Sequence, residues 1–496
     1  MKRRDFLKTV GSAMGCAGVS AASATATARQ ETSFTDGKLF NIVFIMVDDM
    51  GWADPSCYGN QAIQTPRIDT MAAEGMRFTQ AYSGCVVSAP ARSCLMTGFH
   101  MGHTSVRLNT GGVPLKREDV TVAELLRDAG YATGGFGKWG LGDLDTEGVP
   151  EKQGFDLFYG YYHQIHAHYY LPDYLIRNGE KEPLQGNQGF YQQFQHGKFK
   201  GPFPRVDEKS GLRRQFSADL ILEETLQFIR SHKDEPFFCY CPWTLPHGEY
   251  VVPEDDPAWQ AVKDKPWSVH ARVVAAYNLI VDRHVGEVLD LLKELGLEES
   301  TLVCFCSDNG ADQRFDGVLD SCGPLKGKKR SMHEGGIRAP FIARWTGHIQ
   351  PGTESDHLCY FPDMLPTFCE LVGVSIPEGI DGISILPTLL GKKAVGRKQA
   401  CHDYLYWEWN LYDWRTEKLR ENGLMRAARQ GKWKAVQHAS NRPVQIYDLE
   451  KDVGEEHDLS GKRQDILKQM ERILQDARTE MRPQEEPQHE PGKPYR

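Results

Sequence analysis

The feature that most constrains this chain is an alternation: short apolar runs are followed by longer amphipathic stretches of helical period through most of its length. Strand candidates are Phe40–Val47, Tyr131–Phe136, Phe237–Cys241 and Thr301–Cys306. Helix candidates include Thr65–Glu74, where Thr65-Pro66 reads as an N-cap followed by a first-turn proline. Thr121–Asp128 opens with Thr-Val-Ala-Glu, a capping-box pattern, and Ser217–His232 and His270–Leu295 are longer amphipathic stretches. This order predicts an α/β domain over residues 38–390, a large, mostly parallel sheet flanked by helices.

After about residue 390 the texture changes. Ala400–Trp409, Leu424–Arg429, Lys432–His438 and Val444–Leu449 read as short strands joined by polar turns, and Arg463–Glu480 as a charged helix. Residues 395–482 are therefore expected to form a smaller α+β unit with an antiparallel sheet. The aromatic run Tyr404–Trp409 reads first as core; stacking on a sugar ring is the alternative. Residues 483–496, proline-rich and charged, are expected to be disordered.

Both termini carry further signals. Arg3-Arg4 precede a modest apolar stretch, Thr9–Ser20, and a small-residue run ending Ala26-Thr27-Ala28. Residues 1–28 thus resemble a twin-arginine export signal, which implies passage through the twin-arginine machinery to the periplasm or the exterior of a bacterium. A lipoprotein anchored at Cys16 is the weaker alternative, because Ala13-Met14 fits a lipobox poorly. The cysteines show no Cys-x-x-Cys spacing and no disulfide framework, so buried free thiols are expected. A formal net charge of −9 argues against nucleic acid as a partner, while leaving room for a local cationic pocket.

The chemistry gathers where the strands end. Phe40–Val47 runs into Asp48-Asp49, Tyr131–Phe136 into Gly137-Lys138, Phe237–Cys241 through Pro242–Pro246 to His247, and Thr301–Cys306 into Ser307-Asp308-Asn309-Gly310. Ligands of open α/β sheets bind at the carboxyl ends of the strands. Asp48, Asp49, Asp308 and Asn309 are hard oxygen donors suited to calcium or magnesium. Arg92, Lys138 and His247 supply the opposite charge for an anionic substrate, and Lys326-Gly327-Lys328-Lys329-Arg330 adds more. Pro90 fits the first position of a helix with Ser88 at its start, where backbone N–H groups favour negative charge. These residues alone point to a metal-assisted phosphate or sulfate hydrolase.

The segment Ser88-Ala89-Pro90-Ala91-Arg92, followed by Thr97-Gly98, closely resembles the sulfatase signature. Further blocks match in order: Val47–Gly51, Gly130–Trp139, Pro246-His247, Ser307–Gly310, Glu334–Arg338 and, near the end, Tyr447–Asp452. The chain is identified as resembling the formylglycine-dependent sulfatases of the alkaline phosphatase superfamily, arylsulfatase-like and of the serine type. The resemblance implies that a separate maturation enzyme oxidises Ser88 to formylglycine. It implies Ca2+ held by Asp48, Asp49, Asp308 and Asn309, with residue 88 beside it. It further implies that Arg92 orients formylglycine, Lys138 and Lys329 bind sulfate, and His247 protonates the leaving oxygen; Lys328 is the less favoured register for Lys329. The expected substrate is a sulfated saccharide or another sulfate ester.

The chain departs from the family in one place. Gly140 stands where the family has histidine, in Gly137-Lys138-Trp139-Gly140-Leu141-Gly142. A cluster after this block, Tyr161–Tyr170, offers His163, His166 and His168 as replacements or substrate ligands, and His100 and His103 are near enough in sequence to line the pocket. A phosphate-monoester or phosphonate hydrolase of the same superfamily is the alternative activity. Gly140 also raises a non-catalytic binder of sulfated glycans, against which the intact charged set argues.

Overall fold

The computed structural model describes residues 39–110, 113–190, 200–208, 210–413 and 418–482. Residues 1–28, expected to act as an export signal and including Cys16, and the tail from residue 483 lie outside the described residues. Ten strands form the main sheet: β1 (Asn41–Asp48), β2 (Met76–Phe78), β3 (Ala132–Lys138), β4 (Leu157–Tyr161), β5 (Tyr174–Arg177), β6 (Glu180–Pro183), β7 (Phe237–Pro246), β8 (Thr301–Ser307), β9 (Phe341–Arg344) and β10 (Thr353–Ser355). Their order is β10-β2-β9-β8-β1-β7-β3-β4-β5-β6. The central run β8-β1-β7-β3-β4 is parallel, and antiparallel pairings appear on both sides of it. The expected strands are all present. β7 runs on through Pro246, so His247 follows a strand end directly.

Helices cover both faces, which is why β1 is buried along its whole length. Alternate β1 side chains serve opposite layers. Ile42, Phe44 and Met46 pack with Leu95 of α2 (Ser88–Thr97), Leu126 of α3 (Val122–Asp128) and Phe368 of α6 (Met364–Val372), while α1 (Pro66–Ala73) lies on the other side. There Val43, Ile45 and Val47 pack with Ile68 of α1, Ile221 of α4 (Ser217–Ser231) and Ile280 of α5 (Val269–Glu294). The capping box on α3 forms as its sequence predicts, Glu124 N–H donating to Thr121 Oγ1 at 3.1 Å and Thr121 N–H to Glu124 at 2.9 Å. Thr65 does not cap α1. Its hydroxyl is engaged by Ser56 and Asp69, and the free N–H groups of Arg67 and Ile68 donate instead to Asp282 from α5, at 2.9 and 2.8 Å. Pro90 lies two residues inside α2, which starts at Ser88.

The second unit is a four-stranded antiparallel sheet, β11 (Leu405–Asp413), β12 (Lys418–Gln430), β13 (Trp433–Gln437) and β14 (Gln445–Asp448), with α7 (Gln464–Asp476) on one face. Tyr406, Ala428, Ala435 and Ile446 pack with Met470 and Leu474 of α7. On the other face Leu405, Trp407, Ala427, Val436 and Tyr447 join the main core. The aromatic run is thus core, and its strand begins at Leu405, five residues later than its composition suggests. Among the described residues all cysteines are free thiols, and all but Cys57 and Cys401 are buried.

A buried ionic cluster fastens the two units. Lys434 Nζ on β13 lies 2.7 Å from Glu334 Oε1 and 3.4 Å from Glu455, and Tyr82 donates to Glu334 at 2.6 Å. Burial alone would raise the Glu334 carboxyl, but Lys434, Arg338 and Arg429 outweigh it and hold it down to about 2. Its contribution to stability is therefore complete above about pH 4.5 and is lost as pH falls toward about 2. Lys434→Met removes the cation that two buried carboxylates share and should destabilise the fold by about 3–5 kcal/mol. A thermal midpoint equal to that of the parent would contradict this account of the seam.

Candidate active site

The parallel strands deliver their carboxyl ends to one edge of the sheet, and the polar groups foreseen there converge. Asp48 ends β1 and Asp49 follows with φ of 69°, a left-handed turn that points successive carboxylates into the same space. Asp48 accepts hydrogen bonds from Ser88 Oγ at 3.1 Å, Arg92 Nη2 at 3.3 Å and Lys138 Nζ at 2.6 Å. Arg92 also donates to Asp308 at 2.8 Å and to the Lys138 carbonyl at 2.7 Å. Asp49 accepts from Lys329 Nζ at 2.7 Å and Asn309 Nδ2 at 2.6 Å, and His247 Nε2 lies 3.4 Å from it. Ser88, Arg92, Lys138, Lys329, Asp48, Asp49, Asp308 and Asn309 are all buried. Residues spread over most of the chain thus meet in one polar chamber.

Its electrostatics follow from that crowding. Burial raises the Asp48 carboxyl, yet Lys138, His247, Arg92 and Lys329 together hold it well below the usual range. Asp49 is pushed up to about 7, first by burial and then by Asp48 and Asp308, with Lys329 opposing. Burial lowers the Lys138 ammonium despite Asp48, and burial, then Lys329, lower His247 well below its ordinary value. The carboxylates of Asp48, Asp49 and Asp308 are matched by Arg92, Lys138 and Lys329. The ligand atoms of Asp48, Asp49 and His247 lie within 4.8 Å of one another, and the Asn309 side-chain oxygen is buried with no partner. The Asp48 and Asp49 carboxylates this close, with the Asn309 oxygen left unpaired among the described residues, suit a hard divalent cation.

The backbone holds these loops in register. Lys329 N–H donates to the Ala311 carbonyl and Arg330 N–H to Val86, so the lysine-rich loop is tied to the strand ends of both β8 and the Ser88 turn. Gly310 N–H donates to Gly336, and a Cβ on Gly310 would lie 1.9 Å from the Gly335 carbonyl oxygen. The Tyr170 hydroxyl lies against the Thr244 and His247 carbonyls and fixes the turn that presents His247.

The histidine candidates separate. His168 comes to the site: its ring centroid is 4.4 Å from that of His247, and burial, then Lys138 and Lys329, lower it to about 3. His166 packs instead between Tyr161 and Tyr174, and burial lowers it to about 3. His163 accepts from Ile165 N–H at 3.1 Å within its own loop. His100 and His103 stack on each other beside Asp381 and Tyr406, against the C-terminal unit. Lys328 turns to Gln313 and Lys326 to the Glu455 carbonyl, leaving Lys329 as the lysine of that loop which enters the site.

Sequence reasoning passed over Asp312 and Tyr250, and took Arg330 only as part of the basic run. Asp312 accepts from Arg330 at 3.0 Å and Tyr250 at 3.3 Å, and with Gln313 and Phe315 it lines a cleft that opens beside Asp49. Its place three residues after Asn309 was the available signal. Gln164 also escaped notice, as an uncharged amide among histidines and tyrosines.

The sulfatase family model matches residues 40–374. The chain belongs to the sulfatase family. A second model, the C-terminal region of N-sulphoglucosamine sulphohydrolase, matches residues 327–480. Rat N-acetylgalactosamine-6-sulfatase is 33% identical over 72% of this chain and 67% of its own length. An N-acetylgalactosamine-6-O-sulfatase of Bacteroides thetaiotaomicron is 27% identical over 88% of this chain and 93% of its own. The solved structure of Ps i-CgsB in complex with k-i-k-neocarrahexaose is 27% identical, with a TM-score of 0.70 over 88% of this chain and 92% of that one. The sulfatase is therefore a sulfuric ester hydrolase with the alkaline phosphatase fold, in a family that uses formylglycine and a divalent metal.

In this sulfatase Gly310→Ala must force the Asn309 and Glu334 loops apart. The expected cost is about 1–3 kcal/mol in stability, with sulfatase activity falling alongside it. A variant with the parent's thermal midpoint and activity would show that the contact yields without consequence.

Proposed function

We propose that this sulfatase removes sulfate from carbohydrate monoesters, using a formylglycine made from Ser88 and a calcium ion. One observation carries the reading: Ser88 Oγ rests on Asp48 at the start of α2, in a chamber shared by Arg92, Lys138, Lys329 and His247. Support for a sugar substrate comes from the relatives, whose names specify N-acetylgalactosamine sulfates, and from the saccharide held by Ps i-CgsB.

Asp48, Asp49, Asp308 and Asn309 would hold the calcium, which adds fixed positive charge beside residue 88 and offsets the carboxylates that now pair with lysines. Once oxidised and hydrated, residue 88 would supply a nucleophilic hydroxyl toward sulfur and a second hydroxyl that lets sulfate leave. Arg92, locked between Asp48, Asp308 and the Lys138 carbonyl, holds residue 88 in orientation. Lys138 and Lys329 face the sulfate oxygens and stabilise charge as it develops there. His247, with His168 beside it, would give the departing alcohol oxygen its proton. Asp312 with Arg330, Tyr250 and Phe315 offer a carboxylate, a guanidinium and aromatic faces, the groups that grip a sugar ring. Export fits the same reading, because the twin-arginine-type segment would carry the enzyme out to polymeric substrates.

The test is release of free sulfate by matured enzyme from a panel of sulfated saccharides. Lys138→Ala and His247→Ala should each cut turnover by roughly 10²–10³-fold. A chelator should abolish release and added calcium restore it. Asp312→Ala should raise KM for saccharides and leave a small aryl sulfate unaffected. No release by the parent from any member of the panel, with calcium and maturation in place, would refute the function.

A further inference from the structure

Resting on that function, the structure supports one step more: we infer that Gln164 holds the second hydroxyl of hydrated residue 88, in the space that Gly140 leaves open. Gly140 has φ of +75°, and a Cβ there would meet only Arg92 Cδ and Gln164 Cβ, each at 3.8 Å. Position 140 therefore faces the arginine that orients residue 88 on one side and Gln164 on the other. Gln164 is 4% exposed. Its Nε2 donates to the Asn109 carbonyl at 2.9 Å, and the Asn109 side chain in turn accepts from Ala89 N–H at 3.0 Å, one residue from Ser88. The amide is thereby anchored to the turn that carries the nucleophile, yet its Oε1 is buried with no hydrogen-bond partner among the described residues. A buried acceptor without a donor is unfavourable and rare in folded proteins. A hydroxyl on residue 88 supplies the donor, which the single hydroxyl of Ser88, already spent on Asp48, does not.

An amide carbonyl accepts a hydrogen bond but takes no proton near neutral pH. Gln164 is accordingly a positioning group. After the alcohol has left with its proton, the second hydroxyl of a hydrated residue 88 would give its proton to water as its electron pair re-formed the carbonyl and the carbon–oxygen bond to sulfate broke, with Gln164 holding that hydroxyl in place. By holding that hydroxyl, Gln164 also favours the hydrate over the free aldehyde.

The test compares matured parent, Gln164→Ala and the double variant Gln164→Ala/Gly140→His. Two quantities are read besides turnover: the rate at which an aminooxy probe labels residue 88 in the native enzyme, and the sulfate found covalently on the residue-88 peptide after an acid quench during turnover. Loss of the hydrogen bond should speed labelling of Gln164→Ala about tenfold. It should leave sulfate on the peptide, with KM for the saccharide unchanged. The imidazole of the double variant, at a left-handed position that histidine tolerates better than most residues, should return both readings toward the parent. Gln164→Met, which keeps the volume and removes both polar atoms, serves if the alanine variant fails to fold. Labelling and sulfate release at parental rates in the Gln164 variants would overturn this inference alone. A parent with no aldehyde at residue 88 would overturn the proposed function and this inference with it.

Discussion

Asp48 accepts hydrogen bonds from a serine, an arginine and a lysine while almost wholly withdrawn from water. A lone buried carboxylate would be driven to its neutral form; here the surrounding cations reverse that, and each cation is in turn tolerable only because the carboxylates are present. The pieces come from the end of β1, the first turns of α2 and the end of β3, so the sheet order and the cluster's charge balance depend on each other. Arg92 extends the same logic to β8 through Asp308. This mutual neutralisation explains how so polar a chamber can sit inside the core of an α/β domain.

The second constraint lies at the far end of the lysine-rich loop. Glu334 follows that loop by a few residues, and its carboxylate is clasped by Lys434 and Tyr82 in the seam between the two sheets. Gly310 and Gly336 are hydrogen-bonded backbone to backbone just above it. The C-terminal sheet therefore does more than enlarge the core: it braces the segment that brings Lys329 to Asp49. The position of Lys329 beside Asp49 is thus linked to a unit that contributes none of the groups described around Asp48.

The parallel strands were legible because both their faces are buried, so they read as continuous apolar runs, and their ends because charged residues cluster there. Asp48, Lys138, His247 and Asp308 all stood out on that ground. The short strands β2, β9 and β10 were not legible, being set in pairing only by partners distant in sequence. The Thr65 cap was misread for a related reason: Asp282, more than two hundred residues away, takes the role a local rule gives to the threonine. Among the histidines following the second family block, only the three-dimensional path separates His168, beside His247, from His166, between two tyrosines. Gln164 gave no signal at all, because an amide becomes notable only once its buried oxygen is seen to lack a donor.

The central claim is that this chamber exists to hold an oxidised residue 88. Its most direct test is the mass of the proteolytic peptide spanning Ser88, taken from protein produced together with a serine-type maturation enzyme. The account predicts a peptide lighter than the encoded sequence by one pair of hydrogens, the signature of formylglycine. An unmodified serine, with the same maturation enzyme shown to convert a control sulfatase, would contradict it.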